Sequence, residues 1–64
     1  MNIWIWYWEN GGYNWCKADT KQEALKKAKE MAGRTILVVK ESSLHMGTIQ
    51  EVERLDRQYA SMFN

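Results

Sequence analysis

Hydrophobic and polar positions along this chain change pattern from segment to segment, and each pattern predicts a different element. Residues 2–9 contain a run of Ile, Trp and Tyr, residue types that fit a pleated strand, and the first strand is predicted there. Asn10-Gly11 follows and is the strongest short signal for a hairpin turn. A second strand is therefore predicted over residues 12–18, directly after the turn.

The first helix is predicted after the hairpin, where apolar residues recur at helical spacing. Thr20 is the expected N-cap, and Glu23, three residues later, completes a capping box. Gly33 is the expected left-handed C-cap. The apolar positions between these ends are Ala24, Leu25, Ala28, Met31 and Ala32.

A third strand and a second helix are predicted in the rest of the chain. Residues 35–40 are a short β-branched run that suits a central strand, and residues 41–47 are interpreted as a loop. Thr48 and Glu51 make a second capping box, which begins a helix over about residues 48–62. The positions on its apolar side are Ile49, Val52, Leu55, Tyr59, Met62 and Phe63.

The predicted order of elements is ββαβα in a single domain over residues 1–64. A chain this short buries only about 60% of its unfolded surface and does not divide its core between two units. A right-handed crossover brings strand 3 parallel to strand 2. If strand 3 lies beside strand 1, the result is an α+β fold with a three-stranded antiparallel sheet in the order 2-1-3. The first helix then covers one face, and the last helix covers the same face or reaches elsewhere.

The register of the hairpin decides where the tryptophans point. A two-residue turn places Trp6 opposite Trp15 and Trp4 opposite Lys17, because paired numbers then sum to a constant. One face would carry Trp4, Trp6, Trp8, Tyr13 and Trp15, and the other Ile3, Ile5, Tyr7, Cys16 and Ala18. A three-residue loop with a bulge would instead divide the aromatic residues between the faces.

A common face of five large aromatics would present on the order of 1,000 Å² of apolar surface, more than a monomer normally leaves exposed. The last helix could cover it within one subunit. A second subunit or another protein could cover it instead, with Lys17 and Arg34 at the rim, since interfaces favour Trp, Tyr and Met. Single-stranded nucleic acid or a nucleotide could also stack on the rings, with Lys17, Lys21 and Arg34 contacting phosphates.

Composition narrows the function classes. Nine Lys and Arg residues against eight Asp and Glu give a net charge of +1, which is not a strongly basic nucleic-acid footprint. The lone cysteine, Cys16, and the lone histidine, His45, fall short of the about four ligands of a zinc site. Cys16 is expected in a strand and His45 in a loop, without a third orienting group for nucleophilic catalysis. We expect no cofactor, no metal and no enzymatic activity.

The beginning of the chain predicts no targeting to a membrane. Its apolar run is short, lacks a basic region before it, and is followed by Glu9 and Asn10, so neither a signal peptide nor a membrane span is indicated. With a free thiol at Cys16, these features favour a cytoplasmic location, which is the host cytoplasm if the protein is viral.

A hairpin followed by the helix DTKQEALKKAKEMAG and a further strand resembles many short α+β proteins of bacteria and their viruses. By analogy, this resemblance implies a small phage-type inhibitor that binds and blocks a host protein. We therefore predict a non-enzymatic protein-interaction module that forms a homodimer. Its predicted partner-binding residues are Trp4, Trp6, Trp8, Tyr13, Trp15, Lys17 and Arg34. The alternative is binding of single-stranded nucleic acid or a nucleotide on the aromatic face.

Overall fold

The computed structural model describes residues 1–33 and 36–62, with the backbone alone for residues 61 and 62. Its elements are β1 (Asn2–Trp8), β2 (Tyr13–Ala18), α1 (Lys21–Ala32), β3 (Val39–Gly47) and α2 (Ile49–Met62). The strands form one antiparallel sheet in the order β2-β1-β3. The predicted ββαβα order, the α+β class and the sheet order 2-1-3 are confirmed. Helix α1 packs on one face of the sheet and α2 on the other, so the fold has three layers.

The hairpin between β1 and β2 turns through three residues instead of the predicted two. The Gly11 N–H donates to the Trp8 carbonyl at 3.0 Å, and the Trp8 N–H donates to the Gly12 carbonyl at 3.1 Å. Gly11 and Gly12 have φ of 100° and 85°. Glycine adopts positive φ at little cost in conformational free energy because it has no Cβ. A two-residue type I′ turn would need positive φ at Asn10 as well, and Asn10 does not have it.

This glycine bulge shifts the hairpin register by one residue. Trp6 pairs with Asn14, and Ile5 pairs with Trp15. Because side chains alternate along a strand, a shift of one residue moves the whole set of one strand to the other face. The tryptophans of β1 and the large side chains of β2 therefore lie on opposite faces of the sheet.

The third strand lies later in the chain than predicted. Residues 36–38 precede β3 as irregular backbone, and residues 41–47, predicted as a loop, form most of the strand. Residue 35, the first of the predicted strand, lies outside the described residues. The prediction was wrong because β-branched composition measures local propensity, whereas pairing with β1 decides which residues form the ladder.

An irregularity in β3 explains how a serine-rich segment joins the sheet. Two residue steps on β1, from Ile5 to Tyr7, are matched by five on β3, from His45 to Lys40. The Ser43 hydroxyl bridges the interruption, since it accepts the Tyr7 N–H at 2.8 Å and donates to the Lys40 carbonyl at 2.6 Å. A side chain thus replaces a backbone partner and keeps the central strand satisfied.

Both helices begin at the predicted N-caps. The Thr20 hydroxyl accepts the Glu23 N–H at 3.2 Å, and the Thr48 hydroxyl accepts the Glu51 N–H at 3.2 Å. The predicted left-handed cap at Gly33 is wrong, because its φ is −63° and its N–H donates to the carbonyl three residues earlier at 3.2 Å. This tightened last turn satisfies a terminal carbonyl without a left-handed residue. No helix within residues 1–33 and 36–62 is both long and apolar enough to cross a membrane.

The sheet separates two apolar clusters. Under α1 the buried residues are Trp4, Trp6, Trp8, Ala18, Ala24, Ala28, Val39 and Leu44. Under α2 they are Ile5, Val52 and Leu55, with Ile3, Tyr7, Tyr13, Trp15 and Tyr59 partly buried against them. Gly47, where the chain passes from β3 toward α2, lies so close to Ile5 that a Cβ there would collide with its side chain. A glycine at this position therefore leaves room for the buried Ile5 side chain.

Candidate interaction surface

The tryptophans of β1 lie in the core beneath α1. Trp4, Trp6 and Trp8 are 9%, 0% and 5% exposed. Helix α1 presents Ala24 and Ala28 to them, and both alanines are fully buried. Small side chains on the helix let it approach the sheet closely enough to seal the indoles. These three rings therefore fill the interior of one subunit and form no surface patch.

The indole N–H groups of this cluster are satisfied unequally. Trp4 Nε1 donates to the Ala18 carbonyl at 3.1 Å. Trp6 Nε1 is buried and has no hydrogen-bond partner among the described residues. The Trp6 and Trp8 rings pack edge to face, with centroids 5.7 Å apart and planes at 89°, an arrangement that aromatic pairs favour.

The predicted common face of five aromatic residues is therefore wrong. The glycine bulge after β1 is the physical reason, because it reverses the parity of β2 relative to β1. A role for Trp4, Trp6 and Trp8 in binding a partner stays a prediction, and it would require α1 to leave the sheet.

The other predicted residues of the hairpin reach the surface on the α2 side of β2. Tyr13 and Trp15 are half-buried, and Lys17 is exposed. The Tyr13 ring packs against Tyr59 with centroids 5.0 Å apart and planes at 39°. The Tyr13 hydroxyl donates to the carboxylate of Asp56. We call these five residues, Tyr13, Trp15, Lys17, Asp56 and Tyr59, the aromatic rim.

Two members of the aromatic rim were missed as site residues by the sequence analysis. Tyr59 was expected on the apolar side of the last helix, without a strand to face, and Asp56 carried no signal of its own. Their spacing of three along α2 makes them neighbours on the helix surface. Only the position of α2 across the sheet shows that both meet β2.

β2 lies at the edge of the sheet, so part of its backbone faces outward. The hydrogen bond from Trp8 to Gly12 marks a hydrogen-bonded pair, and such pairs recur at every second residue of an antiparallel ladder. Even-numbered residues of β2 therefore bond to β1. The residues that direct N–H and C=O groups away from β1 are Tyr13, Trp15 and Lys17. In agreement, the Lys27 ammonium donates to the Lys17 carbonyl at 2.6 Å. An added strand must therefore displace Lys27 at this one carbonyl.

The opposite edge of the sheet, β3, has features that disfavour the addition of another strand. Its ladder is interrupted, and Lys40, Glu41 and Ser42 are exposed along it. Irregular pairing and charged side chains are the usual protections of edge strands. β2 has a regular ladder with β1 and carries one charged residue, Lys17. The more open edge of the sheet is therefore β2.

The predicted basic contacts are only partly among the described residues. Arg34 lies outside the described residues, and Lys21 is exposed at the start of α1. Two lysines of α1 are occupied by ion pairs: Lys27 with Glu23 at 3.6 Å and Lys29 with Glu41 at 3.7 Å. Part of the positive charge of α1 is thus neutralised.

Cys16 is half-buried on the α1 side of β2, where it pairs with Trp4. Burial raises the pKa of its thiol, which disfavours the reactive thiolate. His45 lies on β3 and points to the α2 side, so β1 and the thickness of the sheet separate the two residues. The structure does not bring them together as a nucleophile and base.

His45, which was predicted in a loop, joins β3 to the start of α2. Its Nδ1 lies 2.7 Å from the Ser43 carbonyl, and its Nε2 lies 2.7 Å from the Glu51 carboxylate. Both partners are acceptors, so this arrangement favours the imidazolium form, in which both ring nitrogens donate. The hydrogen bonds to Ser43 and to Glu51 raise the pKa of His45.

Within residues 1–33 and 36–62, no cluster of three or more His, Cys, Asp or Glu side chains is placed to hold a metal ion. No protein-family model, no curated protein and no solved structure matches this chain.

Proposed function

We propose that this protein is a non-enzymatic interaction module that binds an extended segment of a partner protein along the free edge of β2. The observation that carries the proposal is the outward direction of the β2 backbone groups at the aromatic rim. Unpaired donors and acceptors on an edge strand are a template for another strand. An added strand gains main-chain hydrogen bonds, and side-chain contacts make the binding selective.

The aromatic rim supports this mode of binding through its side chains. Trp15 and Tyr13 are half-buried, so their rings are already held in place while part of each remains open to a partner. Trp and Tyr are enriched among the residues that dominate binding energy at interfaces. By occupying an extended segment of its partner, the module would block other contacts of that segment, as an inhibitor does.

Binding of single-stranded nucleic acid has less support. Three of the five rings expected to stack on bases lie beneath α1, and two lysines of α1 are paired with carboxylates. That alternative requires an oligonucleotide to quench the tryptophan fluorescence with an affinity that falls as salt rises. We expect no such quenching.

Two substitutions at Lys17 form a matched test of the edge. Lys17→Pro removes an N–H that points away from β1, and proline is tolerated in edge strands where the N–H faces solvent. Lys17→Ala removes the same exposed side chain and keeps the N–H. Both variants should retain the far-ultraviolet circular dichroism of the wild type, and only the proline variant should lose binding.

The probe is a library of random linear peptides, from which binders to the immobilised protein are selected. The protein is immobilised at a density so low that two of its molecules cannot contact each other. Enriched peptides should bind Lys17→Pro at least about tenfold more weakly than Lys17→Ala, because the proline removes a backbone hydrogen bond and adds a steric clash. Equal binding to Lys17→Pro, or no enrichment of any peptide, would contradict the proposal.

A further inference from the structure

We infer that the strand added to β2 is β2 of a second copy of this chain, with the two strands antiparallel about a two-fold axis at Trp15. This inference rests on the strand-addition site proposed above and names its occupant. The product is a homodimer in which two three-stranded sheets join into one continuous sheet. The two aromatic rims then lie side by side across the axis.

The position of the axis follows from the backbone of β2. In an antiparallel pair, opposite residues point to the same face and their numbers sum to a constant. An axis at Trp15 pairs this residue with its own copy and pairs Tyr13 with Lys17. Every outward-facing residue of β2 then meets an outward-facing partner, and the Tyr13 N–H of the second copy replaces Lys27 at the Lys17 carbonyl. An axis one residue earlier or later leaves one of them opposite a loop.

Charge complementarity supports the same register. Lys17 and Asp56 are both exposed, and neither makes an ion pair with the described residues of its own chain. Asp56 is held beside Tyr13 by the hydroxyl of that residue. Because the axis places Lys17 of one copy opposite Tyr13 of the other, the ammonium group comes to the side where Asp56 lies. The two-fold symmetry forms this contact twice.

Apolar contact at the axis adds to the charge pairing. Trp15 is half-buried against the α2 cluster of its own subunit. The axis sets this ring beside its copy on the same face, and aromatic cross-strand pairs stabilise a sheet. A chain of 64 residues has a small core, for which a partner subunit is a common supplement.

Disulfide cross-linking tests the register. Asn14 lies opposite Cys16 of the second copy in a non-hydrogen-bonded pair, where Cα atoms are about 4.5 Å apart, a separation that a disulfide spans. Asn14→Cys should therefore form a covalent dimer in oxidised glutathione, visible on a non-reducing gel. The wild type, and Asn14→Cys combined with Cys16→Ser, should give little covalent dimer because their thiols are out of register.

Sedimentation equilibrium tests the edge and the charge pairing. Wild type should be a dimer, and Lys17→Pro should be a monomer with unchanged circular dichroism. Lys17→Asp should raise the dimer dissociation constant at least about tenfold, because it sets two carboxylates together. Adding Asp56→Lys to that variant should restore most of the affinity.

A wild type that stays monomeric at every concentration would overturn the inference. So would a dimer that Lys17→Pro leaves intact, or one that yields no cross-link through Asn14→Cys. The proposed function is tested separately, because the peptides are selected against isolated copies of the protein. If the protein is monomeric and the enriched peptides bind wild type but not Lys17→Pro, strand addition at β2 stands and only the dimer is rejected.

Discussion

The two faces of the sheet bury their aromatic residues to different depths. On the α1 face, three tryptophans are sealed by a helix that contacts them through Ala24 and Ala28. On the α2 face, Val52 and Leu55 are buried, while the neighbouring aromatic side chains, Tyr13, Trp15 and Tyr59, remain half-buried. A helix that presents alanines can lie close to the sheet, whereas branched and aromatic side chains hold a helix further away.

This difference separates core from candidate binding surface. Indole rings of the same size are interior on one face and partly open on the other, so the covering helix decides the role of each ring. The incompletely covered face also borders the open β2 edge. Surface aromatic residues and outward backbone groups therefore coincide at the aromatic rim, where strand addition requires both.

Removal of one indole from each face should have the largest and most unequal effect. Trp6→Ala should cost about 3–5 kcal/mol, which is comparable with the about 3–5 kcal/mol that a small core supplies. We expect this variant to be largely unfolded. Trp15→Ala should cost much less, because part of the ring is already in water. Urea denaturation followed by circular dichroism measures the free energy of unfolding of both variants. Equal losses of that free energy would contradict the difference between the two faces.

Enlargement of an alanine should show how closely α1 approaches the sheet. Ala28→Leu inserts methyl groups into the sealed face and should cost about 1–3 kcal/mol. Ala60→Leu, at an exposed position of α2, should be nearly neutral because leucine is almost as good a helix former as alanine. Thermal unfolding measures both variants. A neutral Ala28→Leu would mean that α1 stands off the sheet as α2 does.

A smaller effect should distinguish two buried indoles of the same face. Trp4→Phe and Trp6→Phe remove the same atoms, but only Trp4 donates a hydrogen bond to a described residue. Trp4→Phe should therefore be the more destabilising by about 0.5–1.5 kcal/mol. Urea denaturation resolves the difference. The reverse order would show that Trp6 Nε1 has an acceptor.

The smallest effect is a pH dependence confined to the α2 face. In the folded state the Ser43 carbonyl and Glu51 raise the pKa of His45 above 6.5. The resulting stabilisation is complete below that pH and is lost as pH rises through the folded pKa. The urea midpoint of the wild type should fall in this window, relative to His45→Asn measured in parallel. If the urea midpoints of the two proteins change with pH in the same way, His45 does not provide this pH-dependent stabilisation.

Elements with local signals were predictable from the sequence. The caps at Thr20 and Thr48 act over three residues, so the residues that make them are visible in the chain itself. Turn length was not predictable in the same way, because Asn10 followed by two glycines permits both a two-residue turn and a bulge. The position of β3 also depended on a distant partner, since Ser43 completes the sheet only by reaching Tyr7.

The candidate site was predictable only in part, for the same reason. Tyr13, Trp15 and Lys17 share a face whichever turn is used, because they lie two residues apart on one strand. Their relation to the tryptophans of β1 depends on the parity of the hairpin. Asp56 and Tyr59 join them only through the packing of α2 across the sheet.

The sequence by itself determined the order of the elements, the α+β class and the caps that begin both helices, because these depend on interactions between near neighbours. Only the tertiary structure decided which aromatic rings became core. A glycine bulge of one residue reversed the faces of β2 relative to β1. With this parity the small side chains of Cys16 and Ala18 pack with the indoles beneath α1, whereas Tyr13 and Trp15 pack on the other face. No local pattern in the sequence records that packing.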